Sequence, residues 1–164
     1  MFNAFADFGD IKGECTVKDF KDQVQLTKIH FKVTQPPSIT QQTAGGRSAE
    51  AAEFSEVTVE KLVDKASVKL WEASVSGKAL DKVTITYTRS GGDSVVQYLV
   101  VVLKEVLISG FEHIGDPKGD HQFPIEQVKM TFGAIEKTYT QQLATGKAGG
   151  NVAAKWNVSQ GAAA

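Results

Sequence analysis

The sequence has one cysteine, Cys15, among its 164 residues, so it can form no intramolecular disulfide bond. It also has almost no excess of charge, since 18 Lys and Arg against 19 Asp and Glu give a formal net charge of -1. Charge-driven binding to nucleic acids or membrane surfaces needs a strong basic excess, so this balance argues against both classes of partner. Near-neutrality also lets copies of the chain approach each other with little repulsion.

Long hydrophobic runs are absent as well. The longest wholly apolar run, LVVVL at 99–103, is far too short to cross a bilayer, so we expect no membrane insertion. The first ten residues, MFNAFADFGD, lack the basic region and the continuous apolar region of a secretory signal peptide. We therefore expect a protein that is made in the cytoplasm and, if it is secreted, leaves without a cleaved signal peptide.

Catalytic and metal-binding motifs are missing. The sequence has no nucleophile elbow, phosphate loop or dinucleotide fingerprint. His113 and His121 bracket HIGDPKGDH, but their separation matches no usual zinc spacing, and a solvated turn explains the stretch better. Cys15 is interpreted as a half-buried cysteine rather than a nucleophile, because no base is placed beside it by sequence. We predict no enzyme, no metal and no cofactor.

Alternation of apolar and polar residues dominates what is there. Runs rich in Val, Ile, Thr, Tyr and Phe predict strands over 2–8, 24–34, 55–63, 81–90, 94–109, 124–140 and 151–159. TRSGGDSVVQ is typical of a hairpin whose glycines supply the turn. These runs predict a single, mainly β domain over residues 1–164.

One segment has helical spacing instead. Ala66, Leu70 and Ala73 recur on one side over residues 64–76, with Trp71 beside them. Asp64 is a plausible N-cap, and Gly77 stands where a left-handed C-terminal residue is wanted. We predict one short flanking α-helix.

Three stretches are predicted to be irregular. Residues 35–53 form a long polar loop between two strands, and loops of that length usually have a function or are disordered. Residues 110–124 are the second irregular stretch. The terminal QGAAA is expected to fray.

The strand KIHFKVT raises the main question about function. Alternation places Lys28, His30 and Lys32 on a basic, solvated face, and the apolar residues Ile29, Phe31 and Val33 on the other. A later strand, VVQYLVVVLKEVL, is apolar on both faces. Either a sheet and the helix cover its two sides, or part of it contacts another copy of the chain.

Five blocks, in order along nearly the whole chain, resemble the hemolysin-coregulated proteins (Hcp), the tube proteins of bacterial type VI secretion. GDIKGEC resembles the early Ile-x-Gly-Glu-Ser turn of that family, with Cys15 in place of serine. The other four blocks are VTVEKLVDKASVKLWEA, VVQYLVVVLKEVLIS, PIEQVKMTFGAIEKTY and KWNV. One departure is Ile29, where family members often have an aromatic residue beside the position that matches His30.

The resemblance implies a compact antiparallel β-barrel of two packed sheets, flanked by one short α-helix. It also implies homohexameric rings that stack into a tube, inside a contractile sheath and beneath a spike protein, with effector proteins carried in the lumen. It places His30 in the lumen, and the alternation extends this to Lys28 and Lys32. An ordinary solvated strand face would have the same pattern. The resemblance also implies that the long loop reaches the next ring and supports stacking. Within this loop, Ile39 offers an apolar contact, Gly45 and Gly46 allow a bend, and Arg47 and Glu50 offer opposite charges. A disordered surface loop is the alternative. The alternative for the whole protein is a monomeric β-barrel module that binds a small ligand.

Overall fold

The structure, a computed structural model, describes residues 3–36, 51–90, 95–119, 123–143, 145 and 148–163. Within these residues the chain forms one helix, α1 (Ser67–Ser76), and strands that pair antiparallel. The strands are β1 (Asn3–Asp7), β2 (Val24–Leu26), β3 (Lys28–His30), β4 (Val33–Thr34), β5 (Glu53–Phe54), β6 (Val57–Leu62), β7 (Leu80–Ser90), β8 (Val95–Ile114), β9 (Ile125–Thr131), β10 (Ala134–Gln142), β11 (Ala148–Asn157) and β12 (Ala162–Ala163).

Strand pairing runs around a small barrel. On one side β8 pairs with β7, β7 with β1, and β1 with β2. On the other side β8 pairs with β9, β9 with β6, and β6 with β3. Thr27 alone separates β2 from β3, and its backbone N–H donates to the Glu60 carbonyl of β6 at 2.8 Å. The pairing thus returns to β8, and the predicted mainly β barrel of two packed sheets with one helix is confirmed.

Strand β8 also supports a second group of strands, β10, β11 and β12, which we call the wing. The first half of β8 pairs with β10 from Leu99 to Lys104, and the second half pairs with β9 from Leu107 to Ile114. Gly133 lies at the junction of β9 and β10, where its N–H donates to the Lys104 carbonyl at 2.9 Å. A Cβ atom at this position would lie 3.2 Å from Glu105 Cβ and would displace the flexible carboxylate end of that side chain.

A single hydrophobic core fills the barrel, because alternate residues of each strand point inward. Val59, Val128, Met130 and Leu103 are fully buried in it, together with Leu70 of the helix. The two faces of strand β8 differ in burial, although both are apolar in sequence. Val101 and Leu103 belong to the core, whereas Val100 and Val102 on the opposite face are half-buried. Contact of that face with another copy stays a prediction.

The helix uses the inner face that its spacing predicted. Ala66, Leu70 and Ala73 are buried, and Gly77 ends the helix in the left-handed region with φ 65°. Trp71 is exposed. The N-cap prediction is wrong by position, because the helix begins at Ser67, with Ala66 as its N-cap residue. Asp64 still acts on this turn, since its Oδ1 accepts a hydrogen bond from the Ala66 N–H at 2.9 Å.

Three other predictions of local structure need correction. Residues 110–114 are not irregular: they extend β8, with a register shift between Ile108 and Gly110 that keeps the later residues paired with β9. The tail is not wholly frayed, because Ala162 and Ala163 pair with the end of β11. Val33 is exposed, since β3 ends at His30 and the inward alternation stops there.

The chain leaves the barrel for the long loop as a two-stranded ribbon. Val33 pairs with Phe54 and Thr34 with Glu53, so the predicted loop gives up its last residue to β5. The Phe54 ring meets the Phe132 ring edge to face at 6.0 Å, which anchors the ribbon at the junction of β9 and β10. Residues 37–50, which include Ile39, Gly45, Gly46, Arg47 and Glu50, lie outside the described residues, as do 91–94 of the predicted hairpin turn.

Candidate functional site

The outer face of the sheet β3–β6–β9 carries two of the three predicted lumen residues. His30 is level with Thr58 of β6 and Lys129 of β9, and Lys28 is level with Glu60 and Gln127. Paired residues on neighbouring strands point to the same side. We call this surface the polar face; it is formed by Lys28, His30, Thr58, Glu60, Gln127 and Lys129.

The polar face is less basic than the sequence predicted. Lys28 Nζ lies 3.1 Å from Glu60 Oε1, which also accepts a hydrogen bond from Gln127 Nε2 at 3.3 Å. The ion pair neutralises one of the predicted positive charges. Lys32 lies beyond the end of β3, where its backbone N–H donates to Ser55 Oγ at 2.8 Å. Glu60 could not be assigned to this face until the register between β3 and β6 was known.

His30 lies beside a hollow that could receive part of another molecule. Lys28, His30, Thr58, Glu60 and Gln127 line this hollow, which has a volume of about 270 Å³. His30 is exposed, and its side chain points away from the core residue Val59 that pairs with Ile29. Substitution at His30 therefore changes the surface without changing the core.

At one end, the same outer face carries a row of apolar side chains. Leu62 of β6 pairs with Ile125 of β9, and Ile125 pairs with Ile114 of β8. Leu62 and Ile114 are 39% and 51% exposed, as is the neighbouring Phe123 at 51%. Leu62 follows Thr58 and Glu60 by steps of two residues, so the row continues the outer face beyond Lys28 and Glu60. We call Leu62, Ile114, Phe123 and Ile125 the apolar row.

Behind the apolar row, the inner side of the same strands holds a buried ion cluster. Lys61 has an exposure of 0%, and its Nζ lies 2.8 Å from Glu126 Oε2 and 2.9 Å from Asp64 Oδ1. Ser67 Oγ donates to Glu126 Oε2 at 2.6 Å. The cluster therefore ties together β6, β9 and the start of α1.

Glu126 remains ionised inside this cluster. Burial by itself would raise the pKa of Glu126, but hydrogen bonds from Lys61 and Ser67, the charge of Lys61 and the contact with His113 together lower it. His113 Nδ1 lies 3.2 Å from Glu126 Oε1 and is half exposed. Sequence reasoning missed this cluster, although Lys61 and Glu126 both occupy inward positions of their strands' alternation.

The structure brings no metal site together in the part of the chain that it describes. His113, which was predicted in a solvated turn, belongs to β8 and contacts Glu126. Its predicted companion His121 lies outside the described residues. Cys15 is half-buried, and its backbone N–H donates to the Gln23 carbonyl at 3.1 Å. Among the described helices, none is long and apolar enough to span a membrane.

Comparison with known proteins decides the family. Residues 5–139 match the family described as "Type VI secretion system effector, Hcp". The chain belongs to the Hcp family. Protein hcp1 of Pseudomonas aeruginosa is 30% identical over 157 residues, which cover 95% of this chain and 94% of that protein.

Solved structures agree on the Hcp fold. A structure described as that of a type six secretion system protein superposes with a TM-score of 0.92 at 22% identity, over 100% of both chains. Hcp1 from Salmonella typhimurium gives a TM-score of 0.81 at 16% identity, over 99% of both chains. Membership of this Hcp family, which is a family of structural secretion proteins rather than of enzymes, implies a part in type VI secretion and self-association.

Proposed function

We propose that this protein is the structural tube protein of a bacterial type VI secretion system. Six copies form a ring, rings stack into a tube, and the polar face lines a channel that carries effector proteins. The observation that carries this proposal is the register of β3, β6 and β9, which groups His30 with other polar side chains on the side away from the core. In an Hcp protein such a face suits the wall of a channel.

The proposal extends to location and partners. The protein is made in the cytoplasm and secreted without a cleaved signal peptide. It is enclosed by a contractile sheath, carries a spike protein at the tube tip, and holds effectors without catalysing a reaction. The segment 37–50, with Ile39, Gly45, Gly46, Arg47 and Glu50, connects one ring to the next.

The wing supports assembly through sheet edges. Within the described residues, β12 covers β11 only at Trp156 and Asn157, so Ala148–Lys155 presents one edge without a neighbouring strand. Open edges are sites where another strand adds, and a ring closes such edges between identical copies. Lys155 Nζ lies 3.3 Å from Glu136 Oε1 of β10, so the edge carries no unpaired charge at that position.

The alternative, a monomeric barrel that binds a small ligand, needs space inside the barrel. Val59, Leu103, Val128 and Met130 fill that space and are fully buried. The hollow beside His30 lies on the outer face instead. A filled interior favours the tube protein over the ligand carrier.

Assembly is the first prediction. We expect the purified protein at micromolar concentration and moderate salt to have about six times the 17.7 kDa mass of the chain in light scattering. Electron micrographs should show rings with six-fold symmetry. A monomer at this concentration, with no rings on the grid, would contradict the tube proposal and favour the ligand-binding module.

The second prediction concerns cargo. We expect His30→Glu to leave the fold and the ring intact, because the side chain is exposed, and to change retention of a co-expressed effector by about tenfold or more. Up to six added carboxylates would face the cargo in a confined channel, where their negative charges would repel acidic groups of the cargo. Co-purification of the effector with the ring measures retention.

Ser76→Glu is the matched control, since it adds the same charge on the exposed end of α1. It should leave retention unchanged. Equal retention by His30→Glu and wild type, combined with a loss in Ser76→Glu, would show that the polar face does not contact cargo.

A further inference from the structure

The polar face contains a row of three hydrogen-bond donors. His30 of β3 pairs with Thr58 of β6, and Thr58 pairs with Lys129 of β9. Paired side chains on one face of neighbouring strands have Cβ atoms about 4.5–5.5 Å apart, so a small group seated over Thr58 can contact all three. We call His30, Thr58 and Lys129 the donor row, because an imidazole, a hydroxyl and an ammonium group each donate hydrogen bonds.

Lys129 gives the donor row a positive charge that no ion pair balances. Among the residues that the structure describes, Lys129 forms no ion pair. Its stem lies against Gly110 of β8, where an added Cβ atom would come 3.3 Å from Lys129 Cδ. Gly110 therefore leaves room for the stem along the sheet, and the ammonium group stays accessible to another molecule.

The carboxylates next to the donor row along β6 have donors of their own. Glu60 Oε1 accepts hydrogen bonds from Lys28 Nζ at 3.1 Å and from Gln127 Nε2 at 3.3 Å. Glu56 precedes Thr58 by two residues and so lies on the same face, where its carboxylate accepts a hydrogen bond from Ser109 Oγ. Neither carboxylate forms an ion pair with Lys129, so the donor row keeps its positive charge.

This combination of groups suits a carboxylate. An ammonium group and two neutral donors around one point form charge-assisted hydrogen bonds with an anionic oxygen, and these are stronger than bonds between neutral groups. Asp and Glu side chains are the carboxylates that a polypeptide presents. In a ring, the donor row would be repeated in every copy, so one cargo molecule could bind several rows at once.

We infer that the donor row binds carboxylate groups of the cargo, so that the channel prefers effector proteins with an acidic surface, and that Lys129 determines this preference. This inference rests on the tube proposal and names the class of cargo for the polar face. It also adds a residue of β9 to the predicted lumen residues, which all come from the segment around β3.

Glu112 provides the competing arrangement on the same face. It pairs with Gln127 and is exposed, so it lies in the row next to the donor row, at the β8 side of the sheet. A channel in which cargo contacts Glu112 instead of Lys129 would prefer basic polypeptides. The two arrangements therefore predict opposite charge preferences.

Binding of model peptides to assembled rings tests the inference. Rhodamine-labelled peptides of equal length, with Glu-Gly, Lys-Gly or Ser-Gly repeats, are mixed with rings whose mass is checked by light scattering, and fluorescence anisotropy measures each Kd. We expect the Glu-Gly peptide to bind most tightly, and its Kd to rise with NaCl concentration because salt screens charges. Lys129→Gln should raise this Kd about tenfold, since one peptide can contact Lys129 of more than one copy.

Two variants are the controls. Lys129→Arg keeps a positive charge at the same place and should bind the Glu-Gly peptide with a Kd close to that of the wild type. Lys82→Gln removes the same charge from an exposed position on β7, outside the polar face, and should leave the Kd unchanged.

The possible results separate the inference from the tube proposal. Wild-type rings that do not bind the Glu-Gly peptide, or that bind the Lys-Gly peptide more tightly, overturn the inference and leave the tube proposal standing. An unchanged Kd in Lys129→Gln, or an equal rise in Lys82→Gln, also overturns the inference alone, because the donor row would then not govern binding. A monomer in light scattering overturns the tube proposal, and the assignment of the row to cargo with it.

Discussion

Replacing Lys61 by methionine is expected to lower the free energy of unfolding by about 3–5 kcal/mol. The substitution keeps most of the side-chain volume but leaves the Glu126 carboxylate buried without its cationic partner, which lies 2.8 Å away in the wild type. Removing one member of a buried ion pair is costly because the remaining charge is neither solvated nor neutralised. Urea unfolding at pH 7 and a fixed protein concentration measures the change.

Lys28→Met is the matched control, because it removes the same type of residue from an ion pair on the surface. Lys28 is 67% exposed at its side chain, and its pair with Glu60 should contribute less than about 1 kcal/mol. Equal effects of the two substitutions, or a Lys61→Met protein as stable as the wild type, would contradict the assignment of Lys61 to a buried ion cluster.

The free energy of unfolding of Lys61→Met should also depend on pH differently from that of the wild type. In the wild type the pKa of Glu126 lies below its ordinary value, so ionised Glu126 stabilises the folded state. This stabilisation is fully present above the unfolded-state pKa of about 4.3 and is lost as pH falls through the lower pKa of the folded state. Without Lys61, burial should raise the pKa of Glu126. The variant should then gain stability between pH 7 and about pH 5, while the wild type does not.

Shortening residues 39–50 to a small Gly-Ser linker should abolish secretion in a cell that depends on this protein. The ring should persist, because the ribbon β4–β5 lies outside the deletion and loop length has little effect on stability. Stacking should weaken, since the segment proposed to join rings is gone. Electron microscopy of tubes and an assay of this protein in the culture medium measure the two effects.

A variant with residues 39–50 in scrambled order keeps the length and composition of the loop. It therefore distinguishes an effect of the loop's sequence from an effect of its length or composition. It should also stack poorly, because Ile39 and Arg47 would be displaced. Tubes of normal length and normal secretion from the shortened protein would refute a stacking role for this loop.

The fold was predictable because most strands have one solvent-exposed face and one buried face. Val57, Val59 and Lys61 alternate with polar residues as β6 requires, and the helix segment is marked by Leu70 and Ala73 at helical spacing. The strand limits were less predictable. Strand β8 continues through Gly110 to Ile114 because β9 pairs with it there, and no local propensity records a distant partner.

The candidate site was predictable only where its residues are neighbours in sequence. Lys28 and His30 share a face because they are two residues apart, which the sequence shows directly. Glu60, 32 residues from Lys28, neutralises it through a register that the sequence does not fix. Lys61 and Glu126 carried a signal, since charged residues at inward positions need a partner, but 65 residues separate them.

Strand β8 has a mechanical consequence. Its first half is hydrogen-bonded to the wing and its second half to β9 of the sheet that bears the polar face, so one continuous backbone connects the two. A pull on the wing is transmitted along β8 as tension and is resisted by many hydrogen bonds loaded in shear. In the proposed tube, a force received at the subunit contacts of the wing would therefore reach the polar face through covalent bonds rather than through side-chain packing.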